Sequence, residues 1–392
     1  YEGNTDPAKV NTVDEDIKFK EVPGITNILL LSSDARPGED VSRSDSIMIL
    51  TIDNINKKLK VTSLMRDMLV KIDGHGEEKL NHAFAYGGPT KTIETIQNNF
   101  GIKLNNYVIV DFNAFVKVID AIKNAVCDDL KLYPDPTCSN LSMEIAKYYH
   151  INDDEIFIGN GSDEILAFVF MTFFQKDRRV LFPDISYTFY NVYAEMFNVN
   201  YEHIKLDDKF NIPLEGFYKD NGGIIFPNPN APTGKYIETN KIIEVLEKNK
   251  NSVVIVDEAY IDFGGKSMVE YIETYPNLLV IQTFSKSRSL AGLRVGFAIG
   301  NSQLIEGLNR VKNSFNSYTI DKLALIGAAE AIKDKNYFDV TTKKIIRTRE
   351  DTVKKLENLN FEILDSKANF IFVKHKEFSG KYLYKKLKEN GV

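Results

Sequence analysis

Thr283-Phe284-Ser285-Lys286 follows the apolar run "NLLVIQ", and Arg294 comes eight residues later. Asp257 closes the run "SVVIV" and leads into Glu258-Ala259-Tyr260. "EIFIG" is followed by Asn160-Gly161-Ser162-Asp163, and "GGIIFP" by "NPNAPTG", which contains Asn230. Each residue type has a chemistry. A lysine amine condenses with an aldehyde, and a carboxylate holds a proton on a ring nitrogen. A tyrosine hydroxyl hydrogen-bonds a phenolic oxygen. Hydroxyls, an arginine and a glycine-containing turn at a helix start suit a phosphate. Singly, each has a plainer reading. A Ser-Lys pair is usually solvated surface, an aspartate after a strand usually caps a helix, a lone arginine usually forms a surface ion pair, and Tyr187 in "PDISYTFY" reads as core.

Their joint occurrence at successive strand ends describes a pyridoxal phosphate site, because ligands of open α/β sheets sit beyond the carboxyl ends of the strands. The acid matters most electronically. Opposite charges about 4 Å apart attract by roughly 4 kcal/mol at an effective dielectric near 20, or roughly three pKa units. That is enough to keep a ring nitrogen protonated near neutrality. A rival reading takes "GNGSDE" as the start of a dinucleotide fingerprint, with Asp184 about 20 residues on. The third glycine position is Glu164, which argues against it.

The elements that position these residues follow from periodicity. "RRVLFP", "GGIIFP", "SVVIVD" and "NLLVIQTF" are continuous apolar strands. They lie between helical patterns such as "SDEILAFVFMTFF", "NKIIEVLEKN" and "DKLALIGAAEAI". This predicts an α/β fold with a mostly parallel sheet covered on both faces. "FEILDSKANFIFVK" holds two further strands. Before residue 123 the strands "TNILLLS", "DSIMILTID", "KLKVTSL" and "NYVIVD" and the helices "TKTIETIQNNFG" and "NAFVKVIDAIKNAV" form a second α/β set. Residues 1–23 are polar and aperiodic and read as a flexible arm.

The chain has 392 residues, 43% of them apolar, with 25 Phe and 19 Tyr, so sizeable cores can form. Its net charge is −6, with the charges interspersed, which gives a nucleic-acid partner no support. Two cysteines, Cys127 and Cys138, are too few for a disulfide framework. His75 and His82 are expected to be solvated. The chain begins with Tyr1 and no signal peptide is visible, so it reads as a fragment open at both ends.

Residues from about 117 to 392 resemble histidinol-phosphate aminotransferases of the aspartate-aminotransferase fold, fold type I of the pyridoxal phosphate enzymes. The likeness rests on "YPDPTCSNL", "GNGSDEIL", "NPNAPTG", "VVIVDEAY", "TFSKSRSLAGLRVGFAIG" and "SKANFIF". It implies Lys286 as the lysine that bonds the cofactor and shuttles the proton, Asp257 at the ring nitrogen and Tyr260 at the phenolic oxygen. It implies that Gly161, Ser162, Asp163, Thr283, Ser285 and Arg294 hold the phosphate, that Tyr187 stacks on the ring and that Asn230 lies near it. Ala231 stands where many members have asparagine. Tyr133 would reach the cofactor of a partner subunit, so the resemblance implies a homodimer. The implied reaction is amino transfer between glutamate and imidazole-acetol phosphate in bacterial histidine synthesis, in the cytoplasm. The family's N-terminal arm and its C-terminal, substrate-gripping arginine have no counterpart in this sequence.

About residues 24–122, through "TNILLLSSDARPGEDVSRSDSIMILTIDNINKKLKVTSLMRDMLV", "KLNHAFAYGG" and "FGIKLNNYVIVDF", resemble part of the LytR–CpsA–Psr family. These are membrane-anchored, extracytoplasmic transferases that move polymers from a polyprenyl-pyrophosphate carrier to the cell wall. Asp34 and Asp45 could share Mg²⁺, a cation that prefers oxygen ligands. Arg36, Arg43, Arg66 and Lys79 could meet pyrophosphate oxygens. Without the resemblance these are ordinary loop and strand-end charges.

The two likenesses meet in "KVIDAI", which suits the end of one family segment and the helix before "YPDP" in the other. No Gly/Ser/Pro-rich linker lies between them. The expected organisation is therefore an arm (1–23), a partial envelope-transferase domain (24–122) and an aminotransferase-like domain (123–392). The parents belong to different compartments, so a chimera with impaired function is expected. Cell-wall transfer and an inactive fragment are the alternatives.

Overall fold

The computed structural model describes residues 22–33, 44–56, 58–111 and 113–389. Most of the arm therefore lies outside the described residues, as do Asp34, Arg36 and Arg43. The chain divides into two compact units, one of residues 1–116 with 385–392 and one of residues 117–384.

In the smaller unit, β1 (Ile25–Ser33), β2 (Ser44–Asp53), β3 (Lys58–Leu64) and the later β6 (Asn106–Asp111) form a sheet ordered β3-β2-β1-β6. β1 and β2 are antiparallel with Leu30 opposite Met48, and β6 runs parallel to β1. Alternation decides which face is buried: Leu29, Leu31, Ile47 and Ile49 point into one core. Ile93 and Ile96 join that core from α1 (His82–Phe100). The helix is interrupted at Gly87-Gly88, just before Pro89, and stops at Gly101, whose φ of 65° suits glycine. A hairpin of β4 (Leu69–Ile72) and β5 (Gly76–Lys79) precedes the helix. Next comes α2 (Asn113–Ala125), within which the division between units falls. No helix among the described residues is long and apolar enough to cross a membrane.

The larger unit opens with α3 (Ser139–Tyr149), β7 (Ile156–Gly159), α4 (Gly161–Phe173), β8 (Val180–Pro183), α5 (Phe189–Met196) and β9 (Tyr201–Ile204). It continues through β10 (Gly223–Pro227), α6 (Thr239–Lys248), β11 (Val254–Asp257), β12 (Leu278–Thr283) and β13 (Gly296–Gly300). Then follow α7 (Ser302–Phe315), α8 (Lys322–Lys333), α9 (Lys335–Glu357), a small antiparallel pair of β14 (Phe361–Ile363) and β15 (Val373–His375), and the first half of α10 (Gly380–Glu389), whose residues from Lys385 onward group with the smaller unit. Among the described residues, seven strands form one sheet in the order β7-β13-β12-β11-β10-β8-β9. All neighbours are parallel except β13, which is antiparallel to both β12 and β7.

Every residue of β7, β8, β10, β11, β12 and β13 is buried, as expected for strands with helices on both faces. The period of two sorts each strand between two cores. Ile156, Ile158, Val254, Val256, Leu278 and Val280 pack with α3, α6 and α8. Phe157, Ile255, Leu279 and Ile281 pack with α4, α5 and α7. Val118, on the later part of α2, belongs to the first of these cores.

Candidate active site

The antiparallel β13 explains how the distant residues meet. β7, β10, β11 and β12 finish at one edge of the sheet, and β13 starts there, with Gly296 opposite both Thr283 and Gly159. Arg294, two residues before β13, is thereby delivered to the start of α4.

Asp257 is the last residue of β11 and points to the α4/α5 face, because Ile255 does. It is 5% exposed. One carboxylate oxygen accepts from the Tyr190 hydroxyl at 2.8 Å and the other from the Ala259 N–H at 3.2 Å. Burial pushes its pKa up to about 6, opposed by those two hydrogen bonds and by Lys286, and reinforced by Asp163. Lys286 lies three residues beyond β12 and is half-buried. Its Nζ is 5.2 Å from the centroid of the Tyr260 ring. The Tyr260 ring also meets Phe370 edge-on, with centroids 4.9 Å apart. Amine, carboxylate and phenol thus come from two adjacent strand ends.

At the mouth of α4, Asp163 joins three partners. Its carboxylate accepts from the Tyr187 hydroxyl at 2.7 Å and from Arg294 Nη2 at 3.2 Å, and its carbonyl accepts from the Tyr193 hydroxyl at 3.0 Å. Burial, then the bond to Asp163, hold the Tyr187 hydroxyl protonated well above the usual range. Gly161 has a φ of 75°, and a Cβ there would sit 2.6 Å from Arg294 Nη2. A Cβ on Gly296 would lie 2.7 Å from the Ser162 nitrogen. The backbone is therefore bare where β13 crosses the helix start, and the N–H groups of Gly161, Ser162 and Asp163 precede the first i→i−4 bond of α4. Thr283 is buried and its hydroxyl accepts from the Ser285 N–H at 3.1 Å. Gly161→Ala is expected to displace the Arg294 guanidinium and weaken phosphate-bearing ligands about tenfold. Comparing the affinities of pyridoxal 5′-phosphate and dephosphorylated pyridoxal checks this, because only the former should suffer.

The residues present fit the cofactor that the sequence implies. Asn230 is buried, and its amide donates to the Ile185 carbonyl and to Thr233 Oγ1. Its Oδ1 and the nearby Ser186 Oγ are buried polar atoms without a partner, as at a surface shaped to meet something further. Amine, acid, hydroxyls and guanidinium supply the complementary donor set.

Other expected residues fall elsewhere. Tyr133 is 80% exposed and stacks on Tyr318 with centroids 4.7 Å apart. Asp184, of the dinucleotide rival, caps a turn by accepting from the Ile185 and Leu206 N–H groups. In the smaller unit Arg66 and Lys79 are both exposed and flank the β4–β5 hairpin. Asp45 lies on β2, and its side chain is outside the description. His75 is exposed and stacks on Tyr86 at 3.8 Å. The expectation that His82 is solvated needs correction: it is half-buried at the start of α1, with Nδ1 2.7 Å from Glu78.

Tyr190 escaped the sequence reading. It sits in the first turn of α5, three residues after Tyr187, and the two rings meet edge-on with centroids 5.6 Å apart against the same core. Nothing local signals that its hydroxyl reaches a carboxylate 67 positions later. Tyr190→Phe is expected to raise the Asp257 pKa above its present value of about 6 and to weaken cofactor binding about tenfold, from loss of a hydrogen bond to a buried charge. The pH dependence of cofactor affinity, shifted upward in the variant, reads this out.

The strand order, the single antiparallel strand and the lysine–acid–tyrosine set at one edge define an aminotransferase of the pyridoxal phosphate type. Residues 101–392 match the family model for aminotransferase class I and II, and the chain belongs to that family. Within it, the chain is similar to histidinol-phosphate aminotransferases. That of Clostridium beijerinckii is 65% identical over 276 residues, 70% of this chain and 77% of the relative. The crystal structure of the histidinol-phosphate aminotransferase from Clostridium acetobutylicum superposes with a TM-score of 0.64 at 28% identity, covering 71% of this chain and 83% of that one. That from Sinorhizobium meliloti, in complex with pyridoxal-5′-phosphate, shares the fold with a TM-score of 0.61 at 21% identity, covering 67% and 72%. Residues 2–130 match the LytR_cpsA_psr family model, so the two matches overlap across 101–130, which contains α2.

Proposed function

We propose that the larger unit carries out pyridoxal phosphate-dependent transamination of histidinol phosphate and imidazole-acetol phosphate with glutamate and 2-oxoglutarate, a step of histidine biosynthesis. The observation that carries this is the convergence of Lys286, Tyr260 and Asp257 in a chain that is, over 276 of its residues, 65% identical to a histidinol-phosphate aminotransferase. When bound, the cofactor supplies an aldehyde carbon to an amine and a ring that accepts an electron pair. Lys286 Nζ offers that amine and, once free, a base to move a proton. Asp257 offers a desolvated carboxylate whose proton affinity is poised near neutrality, held in one orientation by Tyr190. Tyr260 keeps a hydroxyl-bearing ring beside the amine. Ser162, Asp163, Thr283, Ser285 and Arg294 gather donors at the mouth of α4, where the helix dipole favours an anion. Tyr187 and Asn230 bound the space between. Titrating the purified chain with pyridoxal 5′-phosphate, then supplying histidinol phosphate or an aromatic amino acid with 2-oxoglutarate, tests the reading. Glutamate formed with histidinol phosphate supports it. A bound cofactor that aminates only in the presence of aromatic amino acids would reassign the substrate.

Tyr133, almost fully exposed, supports pairing with a second copy, and sedimentation of the cofactor-loaded chain should give twice the monomer mass. For the smaller unit, the family match over residues 2–130 favours a second reading, the pyrophosphate of a polyprenyl carrier held with Mg²⁺. Binding of such a lipid that disappears on chelation supports it, and indifference to Mg²⁺ counts against it. The overlap of both matches on α2 favours two parent genes joined within that helix. Long reads across codons 100–140 that recover one uninterrupted gene with this junction from independent isolates would defeat that reading. Localisation is proposed as cytoplasmic for the larger unit only.

A further inference from the structure

Adjacent residues on a strand face opposite sides, and here both sides are polar. Asp257 and Thr283 end β11 and β12 on the α4/α5 face. Glu258 and Gln282, their immediate neighbours, lie on the α3/α8 face. Glu258 is 1% exposed and Gln282 is 4% exposed. Glu258 accepts from the Gln282 side-chain amide at 2.9 Å, from the Met268 N–H at 2.7 Å and from the Ser267 hydroxyl at 2.5 Å. Gln282 in turn accepts from the Tyr149 hydroxyl of α3 at 2.6 Å. The Glu258 N–H donates to the Ile281 carbonyl at 2.7 Å, so main chain and side chain both bind β11 to β12. A second tie lies alongside, where Ser287, next to Lys286, donates its hydroxyl to Asp262, two residues after Tyr260.

We propose that Glu258, Gln282 and Tyr149 form a positioning device that locks the ends of β11 and β12 together and so sets the separation of Asp257 from Lys286. The proposal rests on the pyridoxal phosphate reading of those two residues. Three observations carry it. The cluster lies on the reverse of the two strand ends that present the acid and the amine. A buried carboxyl is expensive in a core that hydrophobic side chains would otherwise fill, yet this one has every oxygen partnered. Its partners beyond the two strands, the Ser267-Met268 segment and Tyr149 of α3, pack on the α3/α8 side, away from the cofactor face. Burial also raises the Glu258 pKa to about 8 against its three hydrogen bonds, with Asp262 adding to the rise. The titratable and charged groups around the cluster are Tyr148 and Tyr149 on α3, Asp262 after Tyr260, and Arg288 after Lys286. None of these groups is placed in contact with the cofactor, so the cluster acts on the site only through the two strands.

The test uses the full chain with Glu258→Ala, Gln282→Leu and the exchanged pair Glu258→Gln/Gln282→Glu, which keeps one donor and one acceptor between the two positions. Cofactor affinity, the pH midpoint of the visible band of the bound cofactor, and the melting temperature of the cofactor-free chain are measured together. Each single variant should weaken the cofactor about tenfold, the effect of an unsatisfied buried group. Each should also move the spectral midpoint by about half a pH unit, because the acid–amine separation sets that midpoint. The exchanged pair should recover most of both. Should Glu258→Ala fail to fold, Tyr149→Phe, which removes one hydroxyl at the far end, should show the same two shifts in smaller measure. Variants that only melt earlier, with affinity and midpoint unchanged, would make the cluster a packing feature and overturn the proposal. A wild-type chain that takes no pyridoxyl label on borohydride reduction would remove the reading beneath it, and that result appears before any variant is compared.

Discussion

Lys286→Ala should leave a folded chain that no longer yields a pyridoxyl adduct on borohydride reduction and turns over on the order of 10⁴-fold more slowly. The side chain is half-buried and its one prominent contact is with the Tyr260 ring, so its loss should cost the fold little. Its loss to catalysis is large because one amine serves twice, as the group that bonds the cofactor and as the base. Exogenous amines should restore part of the second role and none of the first. Mass spectrometry of the reduced protein separates them, because a pyridoxyl group found on another lysine would displace Lys286 from the assignment.

Asp257→Asn should make the cofactor-free chain more stable and the enzyme worse. Asp257 has a folded pKa of about 6 against an ordinary value of 3.8, so the folded chain binds its proton more tightly than the unfolded chain does. That preference favours the fold below the unfolded value and is lost as pH rises through about 6. Above that pH the ionised, buried carboxylate costs about 3 kcal/mol relative to a neutral group. Asparagine keeps the shape and carries no charge. Denaturant midpoints of the cofactor-free chain should therefore rise at pH 8 and differ little near pH 4. Cofactor affinity should fall on the order of 100-fold or more, since the attraction lost at a ring nitrogen is roughly 4 kcal/mol at 4 Å. An Asp257→Asn chain that is no more stable at pH 8 would mean that Tyr190 and Ala259 already compensate the buried charge.

Both predictions concern a carboxylate and an amine whose proximity no local rule announces. Much else was legible. The apolar runs "SVVIV" and "NLLVIQ" read as buried parallel strands because a strand covered on both faces has no polar side to show, and the strands they form, β11 and β12, are buried at every residue. The helical run "TKTIETIQNNFG" ends on glycine, and the helix does stop at Gly101 with a φ of 65°, because a residue without a side chain enters the left-handed region cheaply. The individual site residues were legible too, because they follow the strands immediately and the strands share an edge.

What the amino-acid order determined by itself is the kind of element at each place, the side of the strand on which each residue falls and the set of functional groups available, since these depend on periods of two and 3.6 residues. Pairing between strands is decided by which faces bury together, a choice made over the whole chain. Only tertiary structure could therefore run β13 backwards between β12 and β7 and bring Arg294 to Asp163. The same holds for the Tyr190 hydroxyl on Asp257, and for the partly buried ring at His82, which the sequence alone left in water.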